Sequence, residues 1–81
     1  MTCYILIVCN NKTVRLSQII DILSVNSNTL KLKRTDESNG RIEASFYIDF
    51  EQWIDFENIR DQLTKLDDTI KITFMDTSKD Y

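Results

Sequence analysis

The chain has no histidine and no proline, one glycine and two cysteines in 81 residues. Each scarcity excludes something. Without histidine, the commonest general base and the commonest zinc ligand are both missing. Without proline, and with Gly40 alone, collagen-like, linker and low-complexity readings fall away. The longest apolar run is Cys3–Cys9, far short of the roughly 20 residues a bilayer-crossing helix needs. The first residues show neither the basic start nor the small-residue cleavage site of a signal peptide. Direct membrane insertion is therefore not expected.

The two cysteines, Cys3 and Cys9, are six positions apart. On one strand that is about 20 Å at roughly 3.3 Å per residue, whereas a disulfide needs Cα atoms within about 7 Å. They are not expected to pair or to share a metal ion, and two such thiols fit a reducing cytoplasmic setting. No cofactor and no metal site are expected.

What is present is an ordinary globular balance, 42% hydrophobic and 28% charged, in 9.6 kDa. A chain of this size is one domain and buries only about 60% of its unfolded surface. The net charge of −3 argues against non-specific nucleic-acid binding. That charge is uneven: residues 1–34 hold five basic residues and one acid, residues 35–81 five basic residues and twelve acids.

Cys3–Cys9 is continuously apolar and β-branched, the pattern of a central strand. Asn10–Thr13 is a polar turn offering helix caps. Leu16, Ile19, Ile20 and Leu23 then fall on one helical face over residues 14–25. Thr29–Arg34 alternates, with Leu30 and Leu32 inward and Lys31 and Lys33 outward; lysines on a lateral strand block edge-to-edge aggregation. Residues 35–40 contain Asn39-Gly40, the strongest turn signal in the chain, and predict a hairpin with a longer loop. Arg41–Phe50 alternates strictly, with Ile42, Ala44, Phe46, Ile48 and Phe50 on one side and Glu43, Ser45, Tyr47 and Asp49 on the other. A second helix carries Phe56, Ile59, Leu63 and Leu66, with Asp55 as its expected cap; the stretch 51–54 fits either the strand or the helix. After a turn at Asp67-Asp68, Thr69–Asp76 alternates again.

Strand, helix, strand, strand, helix, strand is the ferredoxin-like split βαβ arrangement, an α+β fold. Right-handed crossovers place both helices on one face of a four-stranded antiparallel sheet, with strand order 4-1-3-2. One domain over residues 1–76 and a frayed tail over 77–81 are expected. Alternation leaves one sheet face uncovered. Small thiols are among the most buried side chains, so Ile5 and Ile7 are expected to go inward with Cys3 and Cys9. Tyr4, Leu6, Val8 and Tyr47 then form an exposed patch, flanked by Thr73 and Met75, that marks an interface between copies.

Chemistry is sparse. The paired acids, at Asp67-Asp68 and along Asp49, Glu51, Asp55 and Glu57, read as turn, cap and surface groups rather than as a perturbed acid–base pair, so no catalytic residue is expected. Metal chaperones of this fold hold two cysteines in one tight loop. Acylphosphatases need a glycine-rich phosphate cradle, and Asn10–Thr13 has no glycine. RNA-recognition domains put aromatics on the central strands; Tyr4 and Tyr47 occupy such positions, but no glycine-aromatic motif accompanies them.

The arrangement resembles the ACT domain, a regulatory βαββαβ module of about this size. The residues that carry the resemblance are Asn11-Lys12-Thr13-Val14-Arg15-Leu16, similar to the loop that opens the family's first helix; Ile19–Leu23; Asn28 before the second strand; and Leu63-Thr-Lys-Leu66 followed by a turn. The resemblance implies a non-catalytic regulatory or interaction domain, acting through small-molecule sensing or homo-association, with Asn11, Thr13, Val14 and Asn28 around the ligand loop. Val14 stands where the family has a glycine, which lets a backbone approach its ligand. ACT-like domains without that loop form the cytoplasmic tails of MgtC/SapB-type membrane proteins, and a parent membrane protein is one expectation. The alternative is a stand-alone small acidic protein that inhibits a protein partner, presenting Asp49, Glu51, Asp55, Glu57 and Asp61 to a basic surface.

Overall fold

The computed structural model describes residues 2–76. Its elements run β1 (Thr2–Cys9), α1 (Leu16–Val25), β2 (Thr29–Ser38), β3 (Arg41–Asp49), α2 (Trp53–Leu66) and β4 (Lys71–Asp76). The four strands form one antiparallel sheet in the order β2-β3-β1-β4. This is the expected fold and strand order. The expected tail at 77–81 lies outside the described residues.

The core fills the space between the two helices and one sheet face. Cys3, Ile5, Ile7 and Cys9 come from β1 and Ile42, Ala44, Phe46 and Ile48 from β3. Ile19 and Leu23 of α1, and Ile59 and Leu63 of α2, close over them with Phe50. The period of 2 in the strands and the i, i+4 spacing in each helix make those residues converge. No polar or charged side chain is buried among the described residues. β1 pairs with β3 from Thr2↔Asp49 to Cys9↔Ile42 and with β4 from Cys3↔Asp76 to Val8↔Lys71. Its even residues Tyr4, Leu6 and Val8 therefore stand on the face away from the helices, as alternation from the buried odd residues requires.

α1 begins later than periodicity implies, and α2 begins earlier than a cap at Asp55 would place it. Arg15 precedes α1, and the Gln18 side chain reaches back to accept from the Arg15 amide at 2.8 Å. Gln52 precedes α2, so Asp55 is not the cap residue. It lies one turn inside, where its carboxylate accepts from the Gln52 amide at 3.3 Å. That places a negative charge in the first turn, where the helix dipole favours it. The stretch 51–54 is resolved as an approach to α2 with Trp53 as its first residue. At the other end of α1, the Asn26 side chain donates to the Ile22 carbonyl at 2.8 Å and reaches Gln62 of α2 at 3.3 Å.

The β2–β3 hairpin departs most from expectation. β2 runs on through Ser38, and the connection is the two residues Asn39-Gly40, both with positive φ (52° and 77°). That is the turn whose twist matches antiparallel strands. A Cβ at Gly40 would meet the methylenes of Lys12, so glycine is required there by both backbone and space. The ladder also slips between Leu32 and Arg34, a β-bulge at Lys33. Before it, odd residues of β2 share the open face; after it, even ones do. Leu32, before the bulge, keeps the helix-side facing opposite Phe46, yet it is 43% exposed because it lies on the edge strand beyond the reach of either helix, and it is not the core residue expected from the alternation.

Truncating Phe46→Ala should cost about 3–5 kcal/mol, a large share of the roughly 5–15 kcal/mol of a domain. Leu32→Ala should stay within about 0.5 kcal/mol. Urea unfolding of both variants measures this, and comparable losses would contradict the exposed edge position of Leu32.

Candidate functional site

Two places gather the residues singled out by the sequence. The first is the loop between β1 and α1. Asn11 organises it: its side-chain oxygen accepts from the Thr13 amide at 2.9 Å and from the Thr13 hydroxyl at 2.7 Å, while its carbonyl accepts from the Val14 amide at 3.1 Å. This is an Asx-type turn, a short polar side chain mimicking a backbone turn. It stabilises the loop and does not cap α1. Val14, only 6% exposed, directs its side chain into the core. The tip of the β2–β3 hairpin closes over this loop. Between them lies an open depression of about 270 Å³ lined by Asn11, Lys12, Val14, Glu37, Arg41 and the turn residues. Asn11 and Val14 thus share a cavity, and Thr13 turns its hydroxyl onto Asn11. Asn28 is elsewhere: its amide donates to the Asp49 carbonyl at 2.7 Å, at the Thr2 end of β1, roughly 23 Å away by strand rise.

Beneath this loop, the buried Cys9 thiol donates to an Asp67 carboxylate oxygen at 3.5 Å. Asp67 also accepts from the Thr69 amide at 3.2 Å and the Thr69 hydroxyl at 3.0 Å. The Thr69 amide, its hydroxyl and the thiol together hold the Asp67 carboxyl below the usual carboxylate range. Burial foremost, and the neighbouring Asp67, push the Cys9 thiol up. A thiol so held stays protonated and is a poor nucleophile. Asp67 and Cys9 hold the β1 end to the α2–β4 turn.

The second place is the open sheet face. The Tyr4 and Tyr47 rings, directly opposite in the β1–β3 ladder, meet with centroids 4.6 Å apart. Leu6 and Val8 continue the row, and Met75 of β4 lies opposite Tyr4. The bulge brings Lys33 onto this face, where its ammonium sits 5.0 Å from the centre of the Tyr47 ring, within cation–π range. Sequence reasoning missed this contact. Its signal was the adjacent pair Lys33-Arg34, which breaks the alternation of β2. By strand register, the open face carries five cations (Lys31, Lys33, Arg34, Arg41, Lys71) against three carboxylates (Asp36, Glu43, Asp49). The described remainder carries four cations against nine carboxylates. Of the acids grouped as one acidic surface, Asp49 is set apart: it is on the open face, accepting from the Thr2 hydroxyl at 3.2 Å.

Among the described residues, no group of three or more cysteines and carboxylates is placed to hold a metal ion, and Cys3 and Cys9 are free and buried. No helix there is long and apolar enough to cross a membrane.

No family model matches the chain, and no curated protein matches its sequence. Solved structures do match its fold. A de novo designed protein, Foldit4, superposes with a TM-score of 0.67 at 22% identity, over 98% of this chain and 97% of that one. Formyltetrahydrofolate deformylase from Burkholderia mallei ATCC 23344 superposes with a TM-score of 0.66 at 6% identity. That match takes in 98% of this chain but 29% of the deformylase, so the chain spans less than a third of its length. At these identities the likeness is one of fold.

The Asp67 contacts carry a pH dependence. Its folded pKa is depressed, so its contribution is complete above the ordinary carboxylate value of about 4 and is lost as pH falls through the lower folded value. Urea stability should drop from neutral to strongly acidic pH, and the drop should shrink in Asp67→Asn. An unchanged drop would show that Asp67 is not held as described.

Proposed function

We propose that this chain is a non-catalytic interaction domain of ACT-like type that works by pairing with a second copy through its open sheet face. The observation that carries the reading is the row Tyr4, Leu6, Val8 and Tyr47 on the central strands, uncovered by either helix. Met75, 52% exposed, extends it. Such a patch on a domain this small is characteristic of an interface. Around it the charges alternate in sign, Arg34 and Arg41 beside Asp36 and Glu43, so two copies related by a two-fold axis have opposite charges to pair.

The ACT-like reading draws on the βαββαβ order, the resemblance of the Asn11–Leu16 loop, and the occurrence of this fold as under a third of a longer enzyme chain. By that reading the domain serves a larger protein, with a membrane protein of the MgtC/SapB type as one such parent. Small-molecule sensing would use the depression between the β1–α1 loop and the hairpin tip. With Val14 turned into the core, a ligand there would meet Asn11, Lys12 and Arg41 rather than a bare backbone.

Sedimentation equilibrium tests the pairing. At about 50 µM, mass action should give a mass near twice that of one chain, falling on dilution. Leu6→Glu should return the monomer with an unchanged circular dichroism spectrum. A single-chain mass at every concentration would overturn the proposal.

A further inference from the structure

The molecule carries a second apolar surface, on the helix side and at the opposite end of the sheet from the β1–α1 loop. It is built from the start of α2 and the end of β4. Trp53, the only tryptophan in the chain, is 59% exposed although it is the largest apolar side chain present. Leaving this much aromatic surface in water forgoes the burial that normally draws tryptophan inward. Its ring meets Phe56 nearly edge-on, with centroids 5.9 Å apart and planes at 76°. Phe56 in turn lies against Phe74 of β4 at 4.1 Å, and Phe50 braces Trp53 from behind at 6.2 Å. Trp53, Phe56, Phe74, Cys3 and Asp76 line one cavity of about 250 Å³.

Three mutually packed aromatic side chains and a carboxylate line this small cavity, and that combination defines a chemistry. The faces of aromatic rings carry negative potential and attract cations, Trp most strongly. Asp76, opposite Cys3 in the β1–β4 ladder, places a carboxylate on the lining of the cavity. The surroundings carry the same sign: Glu51, Asp55 and Glu57 flank Trp53 in sequence, and this side of the molecule holds the excess of carboxylates described above. The Arg60 guanidinium lies 5.9 Å from the centre of the Phe56 ring, a cation beside the cavity, so a cationic ligand must displace it or bind away from that side of the ring. A cavity of this volume is at or below the lower limit of ordinary small-molecule pockets, about 300–1,000 Å³, but is large enough for a compact head group. A hydrated ammonium or metal ion gains little from aromatic walls. A methylated ammonium, which is bulky, weakly hydrated and positively charged, matches both the walls and the carboxylate.

We propose that the cavity between α2 and β4 is an aromatic cage for a methylated ammonium group, with Trp53, Phe56 and Phe74 as walls and Asp76 as counter-charge. The site shares no residue with the open-face patch and does not depend on the pairing proposed above. A monomeric protein that binds the cation would refute one reading and leave the other standing.

Trp53 supplies the readout, since its emission reports on this cavity alone. The full chain is titrated with tetramethylammonium chloride at constant ionic strength, sodium chloride being replaced, and in parallel with tert-butanol, a neutral molecule of similar shape. The expected result is a saturable change in Trp53 emission with tetramethylammonium and affinity for tert-butanol at least about tenfold weaker, the range a cation–π site gives. Asp76→Asn should weaken the cation about two- to fivefold, as expected for an exposed ion pair, and leave tert-butanol unaffected. Phe74→Leu, which keeps an apolar side chain at that position, should weaken the cation by a similar factor in a protein that still unfolds cooperatively, at a somewhat lower melting temperature because Phe74 packs on Phe50 and Phe56. Choline and a trimethyllysine peptide then separate the two sources of such a group: tighter binding than tetramethylammonium by either one supports the cage and names the source. Equal binding of tert-butanol and tetramethylammonium would overturn the proposal in favour of a plain apolar groove. So would the absence of a saturable change in the folded protein.

Discussion

β1 is apolar on both faces, and two helices among the described residues are there to cover it. This constraint organises the rest of the structure. Right-handed crossovers send both helices to the same side of the sheet. One row of β1 must therefore be buried and the other left half-buried on the open face, and the row with the small thiols goes inward. Cys3, Ile5, Ile7 and Cys9 all fall to 2% exposure or less and oppose Ile42, Ala44, Phe46 and Ile48 across the ladder. The alternative facing would direct Tyr4 into the space beneath the helices, where its hydroxyl would lack a polar partner; no polar side chain is buried among the described residues. A buried hydroxyl without a hydrogen bond costs about 1–3 kcal/mol. The outward row, with Tyr47 beside it, is the surface through which we propose the domain pairs.

That constraint also accounts for the two edges of the sheet. β2 is an edge strand that the helices reach only near its start, so Leu30 is half-buried and everything beyond it is exposed. Its cations and its bulge protect that edge from pairing with other strands. The bulge has a second consequence, since it turns Lys33 and Arg34 to the same side and brings an ammonium over Tyr47. β4 is shorter, six residues, and its inner residues Ile72 and Phe74 lie under α2. There the aromatic residues outnumber the positions that the helix covers, and Trp53 is left at the rim.

The fold was legible where side-chain period carried the information. Strict alternation over Arg41–Phe50, the stripe Leu16, Ile19, Ile20 and Leu23, and the apolar block Cys3–Cys9 are each explained by one geometry only. The facing of β1 was legible from the thiols. The details that escaped were set by contacts distant in sequence or by backbone geometry. Leu32 has the right period to be core, but its edge position leaves nothing above it. The hairpin loop is short because residues 35–38 pair with β3 despite their polarity, an energy that resides in ladder hydrogen bonds and not in hydrophobic pattern. Asp55 looked like a helix cap because it is the nearest acid, whereas Gln52 occupies the cap and Asp55 bonds back to it. Of the residues grouped by the ACT-like resemblance, Asn11 and Val14 share a cavity; Asn28 falls at the other end of the sheet because β1 separates the two loops. The aromatic cavity at Trp53 was not legible at all: Cys3, Trp53, Phe74 and Asp76 come together only through the β1–β4 ladder and the packing of α2.

Native thiol reactivity tests the central claim, the facing of β1, most directly. Both thiols are buried on the helix side, and burial foremost pushes each of them up in pKa, so little thiolate is present at neutral pH. Mixed with a disulfide reagent such as Ellman's under native conditions, the protein should react slowly, at a rate set by its unfolding, and should release two equivalents at once in denaturant. Rapid labelling of both cysteines in the folded protein would place Cys3 and Cys9 on the open face and reverse the assignment of the two sides of the sheet.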